Sequence, residues 1–125
     1  MSKMEKEFIP YEQALELKEL EFNETCFGWY QSNKLKIEKH PTASCEQTYM
    51  RKEDCFAPTF SQAFRWFREK YNIFGNICFN QISCKGYYIV FGIMGKTSDS
   101  TDYFETYEEA ELECLKKLIE IVKEK

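Results

Sequence analysis

Two periods of apolar and polar residues run along this chain, and each change of period marks a boundary. In 10–20 the apolar side is Tyr11, Ala14, Leu15 and Leu17, while Glu12, Glu16, Lys18 and Glu19 face the other way. That spacing predicts a helix, with Pro10 at its first position, where a missing N–H costs nothing. Asn23 breaks the pattern. Aromatic residues crowd 25–31, a strand composition; Ser32-Asn33 is a turn signal. In 34–39, Leu35 and Ile37 alternate with Lys34, Lys36 and Glu38, the period of a half-buried strand. The two segments predict a hairpin.

The segment 40–56 is polar and unpatterned, with Pro41 near its start, and reads as a long mobile connection. A second helix is expected over 59–71. Phe60, Ala63, Phe64, Phe67 and Tyr71 form its stripe, with Arg65, Arg68 and Glu69 away from it and Trp66 well to the side, where packing against the sheet edge or the long loop is the plainer reading and an aromatic anchor for a partner the sharper one. Segments 72–83 and 86–94 predict a second hairpin turned by Cys84-Lys85-Gly86. Tyr87 to Phe91 is apolar on both faces, which predicts a central strand covered on both sides, or on one side with an exposed aromatic patch. A polar loop is expected over 95–102. The final helix, over 106–124, is the best marked. Thr106 and Glu109 spell a capping box. Ala110, Cys114, Leu115, Leu118, Ile119 and Val122 share one face, and the charges run from acidic to basic along it.

The element order is therefore α-β-β-α-β-β-α. It predicts the α+β class: one antiparallel sheet built from two hairpins, with about three helices mainly on one face. The two hairpins share too few residues to count as a repeat. A length of 125 residues corresponds to a single domain, 1–125. A content of 43% hydrophobic and 17% aromatic residues supplies a core and excludes a disordered chain. No apolar run is long enough to cross a bilayer, and the charged start, 1–7, lacks the apolar centre of a signal peptide. A cytoplasmic protein is expected.

The net charge of −4 conceals a division. Residues 1–24 carry −4, 25–96 carry +5, and 97–125 carry −5. Solvated helix faces account for the acidic ends; equally, the division suits a charged partner. Nucleic-acid binding as the main function is disfavoured, since phosphate recognition concentrates more Lys and Arg.

Six cysteines, at 26, 45, 55, 78, 84 and 114, invite a disulfide framework. Without a secretion signal, small buried hydrophobes in a reduced protein are the plainer reading. No pair has C-x-x-C spacing, and His40 is the sole histidine. A zinc site from His40, Cys45 and Cys55 would lie on one loop, but its spacing matches no common arrangement. A histidine beside Pro41 in a polar segment reads as a surface residue in preference to a catalytic one. Gly95-Lys96-Thr97 imitates the end of a phosphate-binding loop, yet Val90 stands where the earlier glycine is needed. Asp99 and Asp102 offer oxygens to a divalent ion, although loop carboxylates are more often simply solvated. No metal, cofactor or catalytic residue is assigned, and an enzyme is not expected.

Three stretches carry a resemblance. They are Ile9-Pro10-Tyr11-Glu12-Gln13-Ala14-Leu15 with Cys26-Phe27-Gly28-Trp29-Tyr30, the run from Ala57-Pro58-Thr59-Phe60 to Arg65-Trp66-Phe67-Arg68-Glu69-Lys70-Tyr71, and Thr106-Tyr107-Glu108-Glu109-Ala110-Glu111-Leu112. Over about half of its length the chain resembles a family of small phage- and prophage-encoded proteins with no established activity. It also looks like a relative of a prophage-encoded anti-CRISPR protein acting on a type VI, RNA-guided, RNA-cleaving effector. The resemblance implies a counter-defence protein of the host cytoplasm that disables such a nuclease, or its guide-RNA loading, without turnover. Its partner would then be the effector or another host protein, with guide RNA in the complex; a membrane or small-molecule substrate is not expected. Another phage accessory binding module is the second reading, and a small hydrolase or nuclease the third. The residues expected to meet the partner are Arg65, Trp66 and Arg68 on the second helix and Lys34 and Lys36 on the first hairpin, because Arg and Trp dominate interface energies and a guanidinium serves carboxylate and phosphate alike.

Overall fold

The structure, a computed structural model, describes residues 5–22, 24–42, 52–79, 86–93, 96–99 and 103–124. Its class is α+β, with the expected alternation of helices and hairpins. The main chain divides into two compact units, 1–61 and 62–125. Among the described residues the strands form two three-stranded antiparallel sheets instead of the expected one, and each hairpin gains a third strand from a segment largely expected as loop.

The first unit holds a 3-10 turn (Glu5–Glu7), helix α1 (Tyr11–Glu19) and strands β1 (Cys26–Gln31), β2 (Lys34–Thr42) and β3 (Cys55–Ala57). Pro10 is the N-cap of α1, one place before its expected position, with φ −65° and ψ 159°. Its carbonyl accepts the Ala14 N–H at 2.9 Å. At the other end Glu21 N–H donates to the Lys18 carbonyl and Phe22 N–H to the Leu17 carbonyl, each at 3.0 Å. These two bonds define a Schellman cap. It requires a left-handed residue, which here is Glu21 at φ 67° and not glycine. Leu17 and Phe22, the apolar pair that accompanies such a cap, are both buried.

The sheet order is β2-β1-β3. Ser32 takes φ 54° at the first central position of the two-residue turn, which suits the twist of a hairpin. Pairing runs Gln31↔Lys34 to Gly28↔Ile37, then shifts register to reach Cys26↔Thr42. β2 therefore continues through Pro41, beyond the expected end at 39. An edge strand tolerates proline because its outer side needs no N–H. The expected connection over 40–56 is thus strand at both ends, and 43–51 lie outside the described residues. β3 pairs Ala57 with Gly28 and Cys55 with Tyr30. A Cβ on Gly28 would stand 2.7 Å from the Phe8 ring and 3.0 Å from the Ala57 carbonyl oxygen, so this crossing admits only glycine.

Helix α2 (Phe60–Tyr71) crosses the boundary between the units; β4 (Ile73–Phe79), β5 (Tyr87–Ile93), β6 (Lys96–Asp99) and α3 (Tyr107–Lys123) complete the second. Asn72 at φ 59° turns the chain from α2 straight into β4, a conformation asparagine accepts readily. The sheet order is β4-β5-β6, so β5 is central as expected. Its Ile89 is fully buried, whereas Tyr87, Tyr88, Val90 and Phe91 are half-buried. Lys96–Asp99, expected as loop, pairs with β5 from Ile93↔Lys96 to Val90↔Asp99. Backbone hydrogen bonding to an open sheet edge needs no apolar alternation, so the sequence pattern gives no warning.

α3 lies against β4 and β5. Thr106 caps it, its Oγ1 accepting the Glu109 N–H at 3.1 Å. The expected apolar face is buried at Ala110, Cys114, Leu115, Leu118 and Ile119, with Val122 half-buried. Gly75 allows the close approach of helix and sheet: a Cβ there would collide with Cys114 Sγ and stand 3.3 Å from Leu118 Cδ1. Among the described residues no helix is long and apolar enough to cross a membrane.

Leu118→Ala should lower unfolding stability by about 2–5 kcal/mol in denaturant titration, while Lys116→Ala on the exposed side should change it by less than ~0.5 kcal/mol. Glu21→Gly should raise stability by about 0.5–1 kcal/mol, because relief of the left-handed strain outweighs the extra freedom glycine gives the unfolded chain. A loss of stability in that variant would show that the cap does not form.

Candidate functional site

The burial of β1 alternates residue by residue. Cys26, Gly28 and Tyr30 are buried, while Phe27, Trp29 and Gln31 are exposed or half-exposed. Pairing of Trp29 with Lys36 and of Gln31 with Lys34 puts both lysines on that open face. Phe27 is 50% exposed, and Lys34 and Lys36 are exposed. Lys34, Lys36, Phe27 and Trp29 therefore form one cationic, aromatic strand surface. It opens toward β2, the edge strand. Toward β3 it closes, since Phe56, the cross-strand neighbour of Trp29, is buried.

This surface is fixed from behind by polar contacts to 52–54. Tyr11 Oη donates to the Glu53 carbonyl at 2.6 Å. Lys18 Nζ donates to the carbonyls of Lys52 at 3.1 Å and Asp54 at 2.7 Å, so it is not the solvated residue its spacing predicts. The buried Asp54 carboxylate accepts the Ser32 N–H at 2.9 Å and so anchors the hairpin turn. Tyr30 Oη donates to the Ile9 carbonyl at 2.7 Å, and its ring meets that of Tyr11 edge-on at 5.3 Å. Burial and the neighbouring Cys55, Glu53 and Asp54 all push the Tyr11 phenol up, so it remains a proton donor at neutral pH.

On α2, Arg65 and Arg68 are exposed. Arg65 Nε lies 3.8 Å from Glu69 Oε1, with both side chains more than half exposed, an ion pair of little energetic weight. Trp66 requires a correction. Its angular position predicts a side chain off the stripe, yet it is only 6% exposed. Phe60, Ala63, Phe64, Trp66 and Phe67 are all buried, so the buried arc spans roughly 160° of the helix at ~100° per residue, wide enough to include position 66. The indole stacks edge-on against Phe67 and Tyr71 at 5.0 and 5.4 Å, beneath the Lys70 ammonium at 5.1 Å. It therefore offers a partner almost no surface. The arginines belong to the second unit and the lysine pair to the first.

The described cysteines are free: Cys26, Cys55 and Cys114 are buried and Cys78 half-buried. Burial pushes the thiols of Cys55 and Cys114 up to about 12. At Cys55 the Lys18 ammonium opposes this and Asp54 adds to it; at Cys114 the charges of Glu111 and Cys78 add to it. Among the described residues no group of three His, Cys, Asp or Glu side chains is placed to hold a metal ion. The His40 side chain and Cys45, two members of the conceivable zinc set, lie outside the described residues, as do the Asp99 side chain and Asp102.

No protein-family model matches the sequence, and neither the curated proteins nor the solved structures yield a significant match.

Trp29 and Phe27 are the surface residues the sequence pattern failed to single out. The available signal was the alternation Phe27, Trp29, Gln31 set against the lysine alternation of the next strand. It was hidden because Tyr30, the buried neighbour, is also aromatic.

Cys55 and Cys114 should resist alkylation by iodoacetamide at pH 8 in the native protein and react readily in denaturant. Because their folded pKa values lie above the ordinary value of 9.0, unfolding releases thiol protons at high pH. Stability should therefore be unaffected by these groups below pH ~9 and fall as pH rises from ~9 toward ~12. Native-state labelling of either residue as fast as a free thiol would refute their burial.

Proposed function

We propose that this chain is a phage or prophage counter-defence protein that binds a host RNA-guided, RNA-cleaving nuclease, or blocks its guide-RNA loading, and acts by occupancy without turnover. The observation that supports a binding role is the open face of β1 and β2, where Lys34 and Lys36 stand beside Trp29 and Phe27. Half-exposed indole and phenyl rings on a rigid strand lose little conformational entropy on binding, and tryptophan at the centre of an interface contributes strongly. The lysines act as point charges toward carboxylate or phosphate. Arg65 and Arg68 add two planar cations on α2, which suit bidentate contacts. The choice of target follows from the resemblance of the three sequence stretches.

Purified protein mixed with a type VI effector and guide RNA should bind it and protect target RNA from cleavage. Trp29→Ala and the pair Lys34→Glu, Lys36→Glu should each weaken binding by roughly tenfold or more, on the scale of an interface hot spot. Circular dichroism must first match the parent. Failure of the parent protein to bind the effector or protect RNA would defeat this target, and retention of a different host protein by the same face would favour the accessory-module reading.

A further inference from the structure

α3 covers only part of its sheet. Cys114 and Leu118 sit over Gly75, and the helix begins at Tyr107, whose ring meets Tyr87 at 5.7 Å and 90°. Phe79, paired with Tyr87 across the strands, lies at the end of β4 and remains 48% exposed. Its ring meets Tyr87 edge-on at 5.3 Å. Phe79, Tyr87 and Tyr107 thus form a continuous ladder of perpendicular rings, with Tyr107 itself 45% exposed.

The backbone beneath the ladder is fixed on both sides. Tyr87 N–H donates to the Phe104 carbonyl at 2.9 Å, and Phe104 N–H returns a bond to the Tyr87 carbonyl at 2.8 Å. Two residues later the Thr106 cap sets the direction of Tyr107. The main chain that carries Tyr87 and Tyr107 is therefore fixed locally.

The rim is acidic. Glu108 is exposed in the first turn of α3, and Glu111 follows Tyr107 by one helical turn. Burial first, then the Glu111 charge, pushes the Tyr107 phenol up. The helix N-terminus carries only about half a positive charge, less than the carboxylates around it. Aromatic faces are electron-rich and attract cations, especially guanidinium groups.

We propose that Phe79, Tyr87 and Tyr107, with Glu111 one helical turn from Tyr107 and Glu108 next to it in the chain, form a docking surface for a basic peptide segment of a partner protein, taking an arginine or lysine side chain against the exposed rings. This surface lies in the second unit, and the proposal does not depend on the effector assigned above.

The test uses the full chain and a fluorescent oligo-arginine peptide, with anisotropy read at low ionic strength. Saturable binding is expected. Tyr107→Leu keeps an apolar side chain in the exposed first turn but removes the ring. It should weaken binding on the order of three- to thirty-fold, while Tyr107→Phe should bind like the parent. Glu108→Gln with Glu111→Gln should weaken binding and flatten its dependence on salt. The proposal is overturned if the peptide fails to bind saturably, if folded Tyr107→Leu binds as tightly as the parent, or if a single-stranded oligonucleotide competes at this ladder more strongly than the peptide. Effector inhibition that persists in Tyr107→Leu would leave the proposed function standing while this site is judged on peptide binding alone.

Discussion

The main-chain carbonyls of Lys52, Glu53 and Asp54 would give up hydrogen bonds to water on folding if α1 did not replace them. Tyr11 and Lys18 do so from one side of the helix, and Asp54 in turn supplies the acceptor for Ser32 N–H. One stretch of irregular backbone therefore ties α1, the β1–β2 turn and β3 together. The bonds to Glu53 and Asp54 are part-buried and the one to Lys52 is exposed, so each contributes a net amount of about 0.5–1.5 kcal/mol. β3 enters the sheet in the register they permit, and the open face of β1 points outward because its other face is held against Ile9 and Tyr11.

A different constraint governs the second unit. A helix and a sheet stay apart by the width of their side chains unless one of them yields, and Gly75 yields beneath Cys114 and Leu118. The resulting close approach buries Ile89 and the apolar side of α3. It also fixes where the helix ends over the sheet, and so leaves Phe79 beyond its reach. The exposed aromatic ladder follows from a helix that starts one ring too late to cover its strand.

Each unit carries charges of both signs. In the first, the lysine pair shares a face with Trp29 and Phe27; in the second, Glu108 and Glu109 occupy the first turn of α3 beside Tyr107 in the chain. The uneven distribution of charge along the chain, basic in the middle and acidic at the end, thus becomes local chemistry on each unit. Salt screens exposed lysines and glutamates within about 10 Å, so these charges act over short range.

The sequence by itself determined the α+β class, the alternation of three helices with two hairpins, and the cap and buried face of α3. Each rests on local rules: helical spacing, strand alternation and a threonine three residues before a glutamate. It also marked Lys34 and Lys36 as one face of a strand. Only the tertiary structure decided that β3 and β6 join the hairpins, because β6 is polar and β3, three buried apolar residues, is too short to show a period. It placed Trp66, whose position at the margin of a wide helical arc is ambiguous by angle, on the buried side, and it turned Lys18 to the carbonyls of Lys52 and Asp54. It brought Phe79, Tyr87 and Tyr107 together from three segments. Such outcomes depend on what lies opposite a residue, and that is fixed by packing between elements, which the pattern along a single chain does not encode.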